Sequence, residues 1–267
     1  MKYWLSIAIV AIFVSTMGRS QEISRTTGST FISDTWNSQA LKREQLAVKE
    51  ILNGNVPSFL KTLVPVEVAS DEDKLTFYVT PDYLSVGTDQ DYTLMPLNFI
   101  SAAKIANRLG MVLPTSKMVD LIYQQAQVKL KPLTMKPGRK MTSNSYIKKH
   151  DQGIKGQLFD KTYTKGQLIA GHKKDTVISK KLLTKQNRIA IYGWHTSNTK
   201  KIQNLNIWHT ADYADYSHGV RLVDRKVLVN GEIWDIADVL STPRLAKLIS
   251  KEGAISVDQL MSLIPRD

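Results

Sequence analysis

The 267-residue chain contains no cysteine. That absence excludes disulfides, thiolate metal ligands and a cysteine nucleophile, and with them the modified cysteine on which a bacterial lipoprotein anchor depends. Long apolar runs are also missing after the first twenty residues, so nothing beyond them approaches membrane-spanning length. No internal repeat is present. Acids are scarce where bases crowd. From Lys129 to Lys201 there are 18 Lys/Arg against three acids, Asp151, Asp160 and Asp175, a net of +15 in a chain whose total is +12. A field of that sign favours anionic partners such as cell-wall polymers, lipid headgroups or extracellular nucleic acid; the alternative is a solvated face that serves solubility alone.

What is present begins with MKYWLSIAIVAIFVSTMGRS, where Lys2 precedes an apolar run from Tyr3 to Val14 and Gly18 and Ser20 supply small residues for cleavage. This is the form of a secretory signal peptide, with an uncleaved anchor as the alternative. The expected location is periplasmic or secreted in a bacterium, with no stable membrane span once residues 1–20 are removed. A cysteine-free exported chain fits that setting better than a disulfide-stapled one.

Residues 21–37 read as a flexible polar leader. An N-terminal α+β part is expected over 38–132. It has helices near 38–52 and 56–63, a hairpin of VPVEV and KLTFYVT around Asp71–Asp73, and two amphipathic helices, one ending at Gly110 and one capped by Thr115 or Ser116. Residues 133–148 carry Pro, Gly, Ser and basic charge and read as a long loop or linker. Residues 149–267 read as a strand-rich catalytic part: QLIAGH, TVISKKLL, RIAIYGWH, VRLVD and KVLVNG, with a hairpin turn at Asn230-Gly231 and terminal helices over 236–250 and 257–263. The fold class is α+β, with segregated elements: a helical and hairpin N-terminal part and a strand-rich C-terminal half closed by helices.

All five histidines lie after residue 149. Three kinds of chemistry suit them. In the first, His195, His209 and His218, with Asp212 or Asp215, hold a divalent metal such as zinc that activates water, although no pair has a standard zinc spacing. In the second, His172, His195, Asp215, Ser217 and His218 supply acid–base or nucleophilic catalysis. Ser217 would be the nucleophile and Asp215 the orienting carboxylate, although no GxSxG elbow is present. In the third there is no chemistry, and Trp194, Trp208, Tyr213 and Tyr216 stack on sugars or bases while lysines meet anionic groups. Ordinary turn and core roles compete with each. The acids Asp82, Asp89 and Asp91 around Gly87 lack the EF-hand spacing and read as a capped turn.

The segments VTPDYLSVGTDQDY, LPTSKMVDLIY, AGHKKDTVIS, IAIYGWH and DYSHGVRLV together resemble an uncharacterised family of exported bacterial proteins, over roughly residues 64–229. That resemblance implies export rather than a particular chemistry. IYGWHT and SHGVRL also resemble the two histidine motifs of cell-wall L,D-transpeptidases, with His195 matching the first and Ser217, His218, Gly219 and Arg221 the second. The likeness stops at the nucleophile: Val220 follows Gly219 directly, so cysteine transpeptidation is ruled out.

The reading these observations lead to is an exported bacterial hydrolase of a cell-envelope or extracellular polymer, working through a His/Asp centre. Lys173, Lys174, Trp194, Tyr216 and Arg221 would bind the anionic substrate. The alternative is a non-enzymatic protein that binds an anionic envelope polymer. A nucleic acid ranks below both as a partner, and the sequence sets no oligomeric state.

Overall fold

The protein is described by a computed structural model over residues 26–262. The expected signal segment and the first residues of the expected leader lie outside the described residues, as does the expected end of the last helix. Among the described residues no helix is long and apolar enough to cross a membrane.

Two helices open the described chain, α1 (Gly28–Asp34) and α2 (Ala40–Leu52). The first corrects the expectation of a flexible leader. Thr27 caps it through its hydroxyl, and Phe31 and Ile32 are buried. Gly28 lies so close to the backbone of Tyr92 that a Cβ would meet its carbonyl carbon at 2.3 Å, while the Gly28 N–H donates to Asp91 O at 2.9 Å. A single 3₁₀ turn at Ser58–Lys61 replaces the expected short helix over 56–63.

The Asp71–Asp73 turn does join a hairpin, β1 (Val64–Ala69) to β2 (Lys74–Val79), in register from Val64↔Val79 to Ala69↔Lys74. A small hairpin follows, β3 (Ser85–Gly87) with β4 (Tyr92–Leu94). Then come α3 (Phe99–Arg108), β5 (Met111–Val112), α4 (Ser116–Gln125) and β6 (Val128–Lys129). Asn98 and Thr115 cap the two helices.

Residues 133–148 are not a linker. They contain a 3₁₀ turn at Arg139–Thr142 and lead into α5 (Asn144–Phe159), a sixteen-residue helix with no counterpart in the sequence reading. Its buried side places Asn144, His150 and Asp151 among Ile147, Ile154 and Leu158. Polar residues on the inward face remove the apolar period that would announce a helix.

The C-terminal half runs through β7 (Ile169–Ala170), β8 (Lys174–Thr176), α6 (Lys181–Thr184), β9 (Ile191–His195), β10 (Lys201–Asn206), β11 (His218–Gly219), β12 (Val223–Asp224), β13 (Lys226–Val229) and β14 (Glu232–Asp235). The expected strand TVISKKLL is thus only Lys174–Thr176 followed by a helical turn. Asn230 and Gly231 both have positive φ, 54° and 89°, and close the β13–β14 hairpin as their types require. Helices α7 (Ile236–Ser241), α8 (Pro243–Ile249) and α9 (Val257–Met261) complete the α+β fold.

The two parts expected over 38–132 and 149–267 share one sheet. β2 carries β1 on one edge and both β12 and β13 on the other, and the full order is β14-β13-β2-β12-β5 with β1 beside β2. A second sheet has the order β10-β9-β8-β11, its last pair parallel. Residues 218–224 therefore pass from one sheet to the other. Arg221 sits at the crossing, wholly buried. Its Nη1 donates to Thr80 O at 2.5 Å, its Nη2 donates to Ile169 O at 2.6 Å, and its guanidinium lies 4.6 Å from the Tyr83 ring centroid. This corrects the expectation that Arg221 binds substrate: it pins backbone carbonyls in the core.

Replacing Arg221 with Leu strands two buried carbonyls, each of which costs about 1–3 kcal/mol. The variant is expected to lose about 3 kcal/mol or more of unfolding free energy, read from the urea midpoint. A loss under about 0.5 kcal/mol, the ordinary effect of a surface change, would overturn this assignment.

Candidate functional site

Strand β11 is two residues long, yet its register builds the site. His218 pairs with Lys174, and Lys174 with Gly193 of β9. Successive side chains on a strand alternate, so Lys174 stands on the His218 side and Lys173 goes to the other. The turn feeding β11 is organised by Asp215. Its Oδ1 accepts the Ser217 N–H at 2.8 Å and the Ser217 hydroxyl at 2.6 Å, and its carbonyl accepts the His218 N–H at 3.0 Å. This is the local hydrogen bonding through which Asp makes turns.

Tyr213 donates its hydroxyl to the other carboxylate oxygen at 3.2 Å. His209 stacks on Tyr213 with centroids 4.2 Å apart, and the two rings lie 6.4 and 5.7 Å from His218. His209, Tyr213 and Lys174 are half-buried, while Asp215, Ser217 and His218 are covered. Solvent reaches the cluster from the His209 side.

Trp194 closes the other flank. Its ring carries the Lys174 ammonium at 4.8 Å, and its Nε1 donates to His172 O at 3.2 Å. By alternation Gly193, not Trp194, should share a face with Lys174. Both residues have positive φ, 102° and 59°, and the strand reverses its faces there. A bulky side chain in the left-handed region is strained, a cost of about 1–3 kcal/mol that accumulates at functional sites.

Burial pushes His218 down to about 4 and also lowers His209 and Lys174. Burial alone would raise Asp215, but His218 and the Ser217 hydroxyl outweigh it and hold the carboxyl below its ordinary value. Burial and Asp215 raise Tyr213. At neutral pH the cluster therefore offers two neutral imidazoles, an ionised carboxylate and a protonated phenol. His209 is the imidazole better suited to accept a proton from substrate or water, because it is half-exposed while His218 is covered.

Behind this cluster lies a second, closed layer. His150, His172 and Lys173 are buried, and Lys173 donates to Tyr216 O at 2.6 Å. Burial lowers Lys173 to about 8 against the pull of Asp151, Asp215 and Asp82. His172 Nε2 lies 3.2 Å from Asp82 Oδ1 but out of line for a hydrogen bond, and no ring nitrogen of His150, His172 or His218 has a hydrogen-bond partner in the protein. Tyr83 packs edge-on against His172 and donates to Asp175 at 2.9 Å.

His195 belongs to a third group. Its Nε2 is 2.8 Å from Asp120, which also accepts the Tyr192 hydroxyl and the Lys251 ammonium, and its ring stacks on Tyr123. Burial would raise Asp120, but these partners together bring it down to about 2.

The structure thus brings His209, Asp215, Ser217, His218 and Lys174 together, with Trp194 alongside. It does not bring His195 to them, and it puts His172 one layer deeper. The three imidazoles expected to hold a metal are divided, His195 with Asp120 and the other two with Tyr213. Among the described residues no group of three or more His, Asp or Glu stands where it could hold a metal ion. Ser217 points its hydroxyl at Asp215, which makes it a positioning residue rather than a nucleophile. Lys173 and Tyr216 were expected to meet substrate; Lys173 lies under the site, and Tyr216 is buried with its hydroxyl accepting the Met135 N–H at 2.8 Å. Sequence reasoning missed His150, Asp82, Tyr83, Asp120 and Asp175. Of these Asp82 gave a signal as one of the acids in TPDYLSVGTDQDY, which read as a turn, and Asp175 stood out only as the acid of AGHKKD beside His172, with no role assigned to it.

Compared with protein-family models, curated proteins and solved structures, the chain matches none of them.

The depressed value of His218 gives a pH dependence with a definite sign. Between pH 6.5 and about 4 the unfolded chain binds a proton at this residue that the folded chain does not. Its contribution to stability is complete above pH 6.5 and is lost as pH falls through about 4. A His218→Gln variant lacks that term and also removes the charge that helps hold the Asp215 carboxyl down, a change that acts in the same direction between pH 7 and pH 4. The stability gap between parent and variant should therefore move by about 3 kcal/mol in the variant's favour from pH 7 to pH 4, as read by urea unfolding at each pH. A gap that does not change with pH would show that His218 is not held neutral by the fold.

Proposed function

We propose that this chain is an exported bacterial hydrolase acting on a cell-envelope or extracellular polymer, with an acid–base centre at His209, Tyr213, Asp215 and His218. The observation that carries the reading is the stack of His209 on Tyr213 at 4.2 Å above the Asp215 carboxylate, at the solvent edge of an otherwise covered cluster. In this reading a water oxygen bonds to the scissile centre and its proton passes to neutral His209. The imidazolium then returns that proton to the departing oxygen or nitrogen. Tyr213, aligned by Asp215, keeps the His209 ring in place, and Lys174 meets negative charge on the substrate or the charge that develops in the transition state. Trp208, 81% exposed and next to His209, offers a face for a sugar ring.

A second reading, a non-enzymatic binder of an anionic envelope polymer, is favoured by one observation. The +15 segment keeps most of its lysines at the surface, and Trp208 stands exposed beyond it.

Purified cell wall and acidic exopolysaccharide, incubated with the protein and analysed by chromatography, separate the two. The hydrolase reading expects release of soluble fragments. His209→Ala and Asp215→Asn should each reduce that release about 10²–10⁴-fold while unfolding cooperatively. Full activity in both folded variants would overturn the assignment of the centre. Strongly salt-dependent retention with no product from any polymer would favour the binder instead.

A further inference from the structure

Helix α5 turns a second face away from the histidine cluster. Lys148, Asp151, Gln152 and Lys155, spaced i, i+3, i+4 and i+7, line one wall of a cavity of about 340 Å³. Across it stand Ser33 of α1 and Trp36 in the turn that follows. Two helices facing each other normally close through apolar side chains. Here the opposed residues are mostly polar, and the space between them remains open.

Most of the charge in this cavity is already neutralised. Asp151 pairs with Lys155 at 2.7 Å and accepts the Leu94 N–H at 3.0 Å, while Lys155 also donates to Tyr92 O. The Asp91 carboxylate, at the cavity edge, accepts both the N–H and the hydroxyl of Ser29. Lys148 is different. Its ammonium lies over the Trp36 ring, 5.9 Å from the centroid, and among the described residues it forms no ion pair or hydrogen bond. What remains available is Trp36, a residue 47% exposed, with the Lys148 ammonium beside its ring, the Gln152 amide and the Ser33 hydroxyl.

We propose that this cavity binds a pyranose ring bearing a carboxylate. The apolar face of the ring lies on Trp36, the carboxylate meets Lys148, and ring hydroxyls meet Gln152 and Ser33. The volume is at the small end of the range of about 300–1,000 Å³ that ligand sites occupy, enough for one substituted ring. The exposed lining is largely apolar, which suits the flat face of a sugar ring, while the Gln152 amide and Ser33 hydroxyl reach the ring's edge and the single unpaired lysine selects an acidic ring over a neutral one. The site does not rest on the acid–base reading, since a non-enzymatic chain would hold the same ring.

Calorimetric titration with methyl glucuronide, methyl glucoside and acetate tests the proposal. Saturable millimolar binding of the glucuronide is expected, with the glucoside at least about fivefold weaker and acetate unable to compete. Lys148→Gln and Trp36→Ala should each weaken glucuronide binding by at least about fivefold, whereas Lys200→Gln should leave it unchanged. His209→Ala should also leave it unchanged, so that failure of the hydrolase reading and failure of this one are separable. Absence of saturation overturns the proposal, as does competition by acetate as strong as that by the glucuronide. Wild-type affinity in Lys148→Gln overturns it independently of how Trp36→Ala folds.

Discussion

The arrangement depends on one buried cation. Arg221 stands where the chain leaves the four-stranded sheet and joins the six-stranded one, and its guanidinium holds carbonyls from Thr80 and Ile169. The first carbonyl follows β2 directly and the second opens β7, so a side chain on the segment between the two sheets ties the end of β2 and the segment before β8 to one point. The neighbours reinforce it: Thr80 N donates to Leu222 O, and Leu84 N to Val220 O. With that crossing fixed, the placement of His218 beside Lys174 follows from a two-residue strand that would be too short to set a register alone.

From that register the chemistry separates into layers. Lys174 and His218 face the solvent-side cluster, and Lys173 faces inward toward His150, Asp151 and Asp82. Gly219 is the tight point between them, because a Cβ there would meet Tyr83 Cδ1 at 2.7 Å and Lys173 Cβ at 2.8 Å. The inner layer has a high density of ionisable groups and little access, which suits an electrostatic support for the outer layer better than a reaction chamber. Asp151 belongs to both α5 faces, coupling to Lys173 on one side and pairing with Lys155 in the open cavity on the other. Asp151 therefore links the open cavity to the buried layer beneath the acid–base centre, not to that centre itself.

The sequence made the local pieces legible. The Asp71–Asp73 and Asn230-Gly231 hairpins, the helices capped by Asn98 and Thr115, and the turn into His218 all announce themselves within ten residues, because caps and turns are short-range chemistry. The clustering of the site was only half legible. His209, Tyr213, Asp215 and His218 lie within one decapeptide, so their meeting needs no long-range contact. Lys174 joins them through a parallel pairing across more than forty residues, and nothing in AGHKKD signals that. The expected joining of His195 to His218 failed for a related reason: β8 lies between their strands, and Asp120 of α4 captures the imidazole first. α5 and α1 were hidden because polar or small residues occupy positions where apolar ones would have shown a period.

The paired positive φ angles at Gly193 and Trp194 set backbone comfort against side-chain function at one residue. Glycine at position 194 would adopt the same conformation without strain. The indole would then no longer cover Lys174 or reach the His172 carbonyl. The ammonium's aromatic neighbour is thus bound to a backbone conformation that its own side chain disfavours, and neither can be improved without giving up part of the other.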